Sequence, residues 1–91
     1  MNDFKGAAEH LSEAYSITKK VQGANADDNP MVAWFAHNIG DCLRQMEPPN
    51  LSKAREFAQE AFDIRVRVKD AEPKVKKSEK LLNEIRAQLS E

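Results

Sequence analysis

Cysteine is almost missing from this chain: Cys42 is the only one in 91 residues. No internal disulfide can form, and the chain fits a reducing compartment. Glycine is scarce, with three residues, at 6, 23 and 40. None belongs to a Gly-rich phosphate cradle or to the sharp turn that exposes a nucleophilic serine, so those two kinds of chemistry have no motif here. An excess of one charge is also lacking. The net charge is −1 and the pI about 6.1, and residues 1–45 carry 4 basic and 6 acidic side chains against 10 and 9 in residues 46–91. That balance argues against general attraction to nucleic acid or to anionic membranes. No apolar run approaches the ~20 residues of a membrane span. The opening "MNDFKGAAEH" lacks the basic start and apolar stretch of a secretory signal. The expectation is one cytoplasmic domain over residues 1–91, with no membrane or nucleic-acid partner.

What the chain does have is helical spacing. Turn signals fall at "GANADDNP" (23–30), "EPPN" (47–50) and "DAEP" (70–73). Between them apolar residues recur at three and four. Four helices are predicted, at about 3–22, 31–46, 51–69 and 73–90, with short connections that imply antiparallel neighbours. Asp3, Asn29 and Asn50 suit N-caps, and Pro30 and Pro73 suit first turns. The first helix carries the stripe Phe4, Ala7, Leu11, Ala14, Tyr15, Ile17 and Val21. "RVRVKD" (65–70) alternates like a strand, but it continues the spacing Ala54, Phe57, Ala61, Ile64, Val68, and helix is the better reading.

Candidate chemistry is sparse. His37 and Asp41 stand at i, i+4 and could share a metal, but no third ligand is positioned by sequence. Asp27, Asp28 and Asn29 lack the spacing of a calcium loop. Cys42 shares a helical face with Phe35, Ile39 and Met46, which describes a packed, inert thiol better than a nucleophile. The pairs Glu9/Glu13 and Glu56/Glu60 read as solvated helix surface. Lys74, Lys76, Lys77 and Lys80 cluster near a helix N-terminus, where cations oppose the dipole. They lack interleaved aromatics, and a solvated face is the plainer reading. No enzyme and no cofactor is expected.

The chain repeats internally. "FKGAAEHLSEAYSI" (4–17) lies over "LSKAREFAQEAFDI" (51–64) at an offset of 47, so Tyr15 meets Phe62 and Ile17 meets Ile64. The second and fourth helices align at an offset of 43, with Pro30 on Pro73, Val32 on Val75, Ile39 on Leu82 and Cys42 on Ile85. Ile39–Gly40, then Ala54, then Ala61, together with "AFDI" and "NP.V", resemble the tetratricopeptide repeat in the longer form found in kinesin light chains. The resemblance covers most of the chain, with one complete repeat (about 31–69) flanked by half repeats. Ala58 stands where that family usually has a large aromatic, and the proline pair 48–49 lengthens the turn within the repeat. Asn83 and Arg86 in the last helix replace the Gly and Leu43 of the second, a polar outer face that suits a terminal cap. The first helix has no preceding partner, which leaves two readings open: cover by another chain, or a piece of a longer array.

The resemblance implies an all-α stack of four antiparallel helices, a right-handed solenoid fragment, acting as a non-catalytic protein–protein interaction module. It implies a groove for a peptide segment or a helix, lined by Trp34, His37, Asn38, Asp41 and Gln45 of the second helix and by Lys77, Lys80, Leu81 and Glu84 of the fourth. Asn38 occupies the place where many members use an Asn on a bound peptide backbone, which an amide suits because it both donates and accepts. Lys77 matches one basic position of the clamp some members use for a C-terminal carboxylate; Leu81 replaces the second. Trp34 reads equally as a partner contact or as a cover for the core. The alternative function is a structural unit whose apolar faces make homo-oligomers.

Overall fold

Three of the helices start on a side chain that caps them. In a computed structural model, which describes residues 3–90, Asp3 accepts the Gly6 N–H at 2.8 Å, Asn29 accepts Met31 N–H at 2.8 Å and Asn50 accepts Lys53 N–H at 3.2 Å. Each such cap stabilises its helix by about 1 kcal/mol. The helices are α1 (Phe4–Gln22), α2 (Pro30–Gln45), α3 (Leu51–Arg67) and α4 (Glu72–Gln88). Helix α4 has no side-chain cap and begins with Glu72 and Pro73 in its first turn.

Two segments differ from the pattern. The third helix is predicted to run on to about 69, but α3 ends at Arg67. There Lys69 turns to φ 53°, and Asp70 N–H donates to the Arg65 carbonyl at 2.9 Å, which closes the turn and satisfies an end carbonyl. The stretch after α1, which reads as a loop, is a 3₁₀ helix (Gly23–Asp28). It tucks Ala26 against Val32, Ala33 and Ile64, and Arg67 of α3 holds it by donating to the Asp27 carbonyl at 2.6 Å.

The described residues form helices joined by short turns, with no strand, and the four helices pack on one another. Helix α2 lies against α1 and α3, and α3 lies against α4. Alanines dominate where α2 and α3 meet: Ala33 and Ala36 beside Val32 and Ile39 on α2, and Ala54, Ala58 and Ala61 on α3, each 0% exposed. Small residues let backbones approach. A Cβ on Gly40 would lie 3.1 Å from the Ala54 carbonyl oxygen and 3.3 Å from the Ala58 nitrogen. Phe35, Cys42 and Leu43, assigned by spacing to the stack, are only half-buried. The face turned to α3 is the one with the least bulk. Leu81, Leu82 and Ile85 of α4 fill the space beside Ala54 and Ala58.

Helix α1 is the exception. Ala8 is its one buried residue, and Ile17 and Val21, counted in its core stripe by spacing, are 60% and 76% exposed. It packs mainly on α2, so only one edge of the stripe is covered. Tyr15 ties it to α3. Its ring meets Phe57 edge-on at 5.4 Å, and its hydroxyl donates to Glu60, which Lys19 also reaches at 3.2 Å.

Candidate functional site

Residues 34, 37, 38 and 41 share one face of α2 because they differ by threes and fours. Lys74 and Lys77 share a face of α4. The packing of α2 and α4 over α3 brings the two faces to one cleft of ≈320 Å³, lined by Trp34, His37, Asn38, Asp41, Arg65, Lys74 and Lys77. A larger groove of ≈530 Å³ lies between α1 and α3, walled mostly by carbon of Ala8, Tyr15, Leu43, Met46 and Phe57. The smaller cleft is the stronger candidate because polar groups converge there.

Its floor is Arg65, at the C-terminal end of α3 and only 4% exposed. Nη1 donates to Ser78 Oγ at 2.8 Å and to the Lys74 carbonyl at 3.1 Å. Among the described residues no carboxylate pairs with it. Its Nε is buried with no hydrogen-bond partner. Burial lowers the pKa of the guanidinium, and Asp70 opposes that at longer range, yet an arginine remains charged at neutral pH.

His37 stands beside this cation. Its Nδ1 is 3.1 Å from Ser78 Oγ and 3.5 Å from Arg65 Nη1. The guanidinium can only donate, and Ser78, already accepting from it, has its own O–H to give. The Nη1 N–H groups are already given to Ser78 and the Lys74 carbonyl, and a Ser78 O–H directed at Nδ1 corresponds to the tautomer with the imidazole proton on Nε2. Burial, then the charge of Arg65, lowers the pKa of His37. Asp41 is ion-paired with Arg44 at 3.0 Å, and Arg44 also reaches Glu84 of α4 at 3.3 Å. These groups are partly exposed, so each pair contributes at most about 1 kcal/mol. Asn38 folds back and donates to the Trp34 carbonyl at 2.8 Å. Trp34 is 49% exposed and meets Phe35 edge-on. It also borders a shallow apolar groove with Pro30, Met31, Phe35 and Lys74.

Of the residues that the sequence placed on the groove, Trp34, His37, Asn38, Asp41 and Lys77 come together. Glu84 lies farther along α4, on Arg44. Gln45 sits apart, in a depression with Phe4, Lys5, Met46 and Pro48. Lys80 is exposed but outside the cleft lining. Leu81 is a correction: it is 6% exposed and belongs to the core with Leu82 and Ile85. The buried stripe of α4 is Ser78, Leu81, Leu82, Ile85, so three- and four-spacing turns Leu81 inward. Arg65 and Ser78 escaped the sequence reading, and Lys74 entered it only as part of the basic cluster on the fourth helix. A signal was there, since Arg65 is four residues after Ala61 and Ser78 four before Leu82.

Cys42 is half-buried, and burial, then Asp41, pushes its thiol pKa up, which disfavours the nucleophilic thiolate. Among the described residues no three His, Cys, Asp or Glu side chains gather as a metal ion would require, and no helix is long and apolar enough to cross a membrane. No family model matches the chain, and neither a curated protein nor a solved structure does.

Proposed function

We propose that this chain is a non-catalytic protein–protein interaction module of the cytoplasm. Its helices stack as antiparallel neighbours in a tetratricopeptide-like solenoid fragment, and it holds a peptide segment or a partner helix between α2 and α4. One observation carries the reading: Trp34, His37, Asn38 and Asp41 of α2 and Lys77 of α4 line a single cleft. A half-exposed Trp at its rim supplies contact area at low entropic cost. Asn38 spends an amide N–H on its own helix, and its carbonyl oxygen is left to accept from a bound backbone. The test is capture of peptides by the natural chain and by Asn38→Ala and Trp34→Ala. Capture should weaken about tenfold or more for Trp34→Ala, and should also weaken for Asn38→Ala. Equal capture by all three chains rules the cleft out.

A second reading rests on exposed apolar side chains outside the cleft lining. Ile17, Val21, Met31 and Val66 are each at least half exposed, which fits a unit that pairs with copies of itself. Light scattering across concentrations separates the two. A dimer at low micromolar concentration, unchanged in Asn38→Ala and Lys77→Ala, favours the oligomer. A monomer that captures peptide favours the cleft.

A further inference from the structure

We propose that the free flank of α1 is a self-association surface, and that its partner is a second copy of this chain with the two α1 helices antiparallel. The inference rests on the second reading above and deepens it by naming the surface, the partner and the register. It is independent of the cleft, to which α1 contributes no lining residue.

The surface begins as a spacing. Ala7, His10, Ala14, Ile17 and Val21 recur at alternating intervals of three and four. That is the a and d pattern of a coiled-coil seam. Ala7 and Ala14 are half-buried, and His10, Ile17 and Val21 are exposed. Helical geometry puts this seam well round the helix from Ala8, its one buried residue. The helix is already formed on α2, so a pair of such seams can meet without any new helix nucleation.

Charge then sets the orientation. One edge of the seam carries Glu13 and Lys20, and the other carries Phe4, Leu11 and Thr18. The second edge is half-buried and uncharged. Glu13 and Lys20 are exposed and form no ion pair among the described residues. A parallel pair would set them against the uncharged edge of the other helix. An antiparallel pair sets the charged edge against itself, so Glu13 meets the partner's Lys20 and Lys20 meets the partner's Glu13. A twofold axis crossing the seam between Ala14 and Ile17 gives four layers. Ile17 packs on the partner's Ala14, and Val21 on the partner's His10, each twice by symmetry. The central layers set a large side chain against a small one, so the helices can interdigitate. The outer layers lay Val21 on the apolar body of an imidazole whose polar tip stays in water. The four layers span about 17 Å of helix. That is a small interface, and it holds the pair in equilibrium with single chains. It adds to stability only at concentrations where the pair is populated.

Sedimentation equilibrium of the full chain, at concentrations up to about 1 mM, tests this. A reversible dimer is expected. Ile17→Glu should abolish it over that range and leave the circular dichroism unchanged, since Ile17 is 60% exposed in the single chain. Glu13→Lys and Lys20→Glu should each weaken Kd about tenfold, because each turns two attractions across the pair into two repulsions. An equimolar mixture of those two variants should regain the natural Kd, because both contacts again join opposite charges. The double variant Glu13→Lys/Lys20→Glu should regain it too. A dimer that survives Ile17→Glu overturns the α1 seam and leaves self-association standing. Charge variants that dimerise like the natural chain, or that are not rescued by mixing, overturn the antiparallel register. A chain that stays monomeric at about 1 mM overturns this inference and the second reading together.

Discussion

Helices α1 and α3 have related sequences and opposite fates. They align over 4–17 and 51–64, yet α3 buries Ala54, Ala58, Ala61, Ile64 and Arg65 while α1 buries Ala8 alone. The cause is position. Helix α3 has α2 on one side and α4 on the other, whereas α1 packs chiefly on α2. A repeat unit cannot bury its apolar face alone, so burial depends on its neighbours as much as on its residues. The same asymmetry places the polar cleft: it forms where α2, α3 and α4 meet, whereas α1 packs chiefly on α2.

The aligned isoleucines give the largest predicted contrast. Ile64 is 2% exposed and Ile17 is 60% exposed. Ile64→Ala should cost about 2–5 kcal/mol through lost burial and the cavity left behind. Ile17→Ala should stay within about 0.5 kcal/mol. Urea titrations of both variants read the difference, and equal losses would break the comparison. Next in size is Gly40→Ala. The added methyl would press on the Ala54 carbonyl at 3.1 Å, and the close contact of α2 with α3 leaves little room to yield. A loss of about 1–3 kcal/mol is expected in the same titration. Retained stability would mean that the two helices can part without penalty.

A smaller effect follows pH. His37 lies on the cleft side of α2, faced by Arg65, Lys77 and Asp41. Burial, then Arg65, holds its folded pKa below the ordinary 6.5. Below that value the unfolded chain binds the proton more readily than the folded one, so stability falls as pH drops through and below about 6.5. Melting temperatures at pH 7.5 and 5.5 should differ more in the natural chain than in His37→Gln; an unchanged difference would remove His37 as the cause. The smallest effect sharpens the end of α3. Lys69 sits at φ 53°, where a side chain is strained. Lys69→Gly should stabilise the chain by about 0.5–1 kcal/mol after the entropy cost of glycine is subtracted.

Much of this molecule is visible in its residues. The caps Asp3, Asn29 and Asn50, the first-turn prolines and the three- and four-spacing mark the helices closely, because capping and periodicity are local. Five cleft residues were expected from the tetratricopeptide resemblance, and helical spacing, which groups 34, 37, 38 and 41 on one face, agrees with it. The remainder depends on which helix touches which. Ile17 and Ile64 carry the same local signal, and the packing separates them: α3 lies against both α2 and α4, while α1 lies chiefly against α2. Leu81 was assigned to the wrong face because the inward stripe of α4 is set by where α3 lies. Arg65 looks like any surface charge until α4 closes over it.

The account turns on whether peptides engage the α2/α4 cleft and leave the outer side of α1 alone. Amide hydrogen exchange, with and without a saturating peptide captured as above, tests this most directly. The account predicts new protection across Trp34–Asp41 and Lys74–Ser78, with exchange at Ile17–Val21 unchanged. Protection confined to Ile17–Val21 would contradict it.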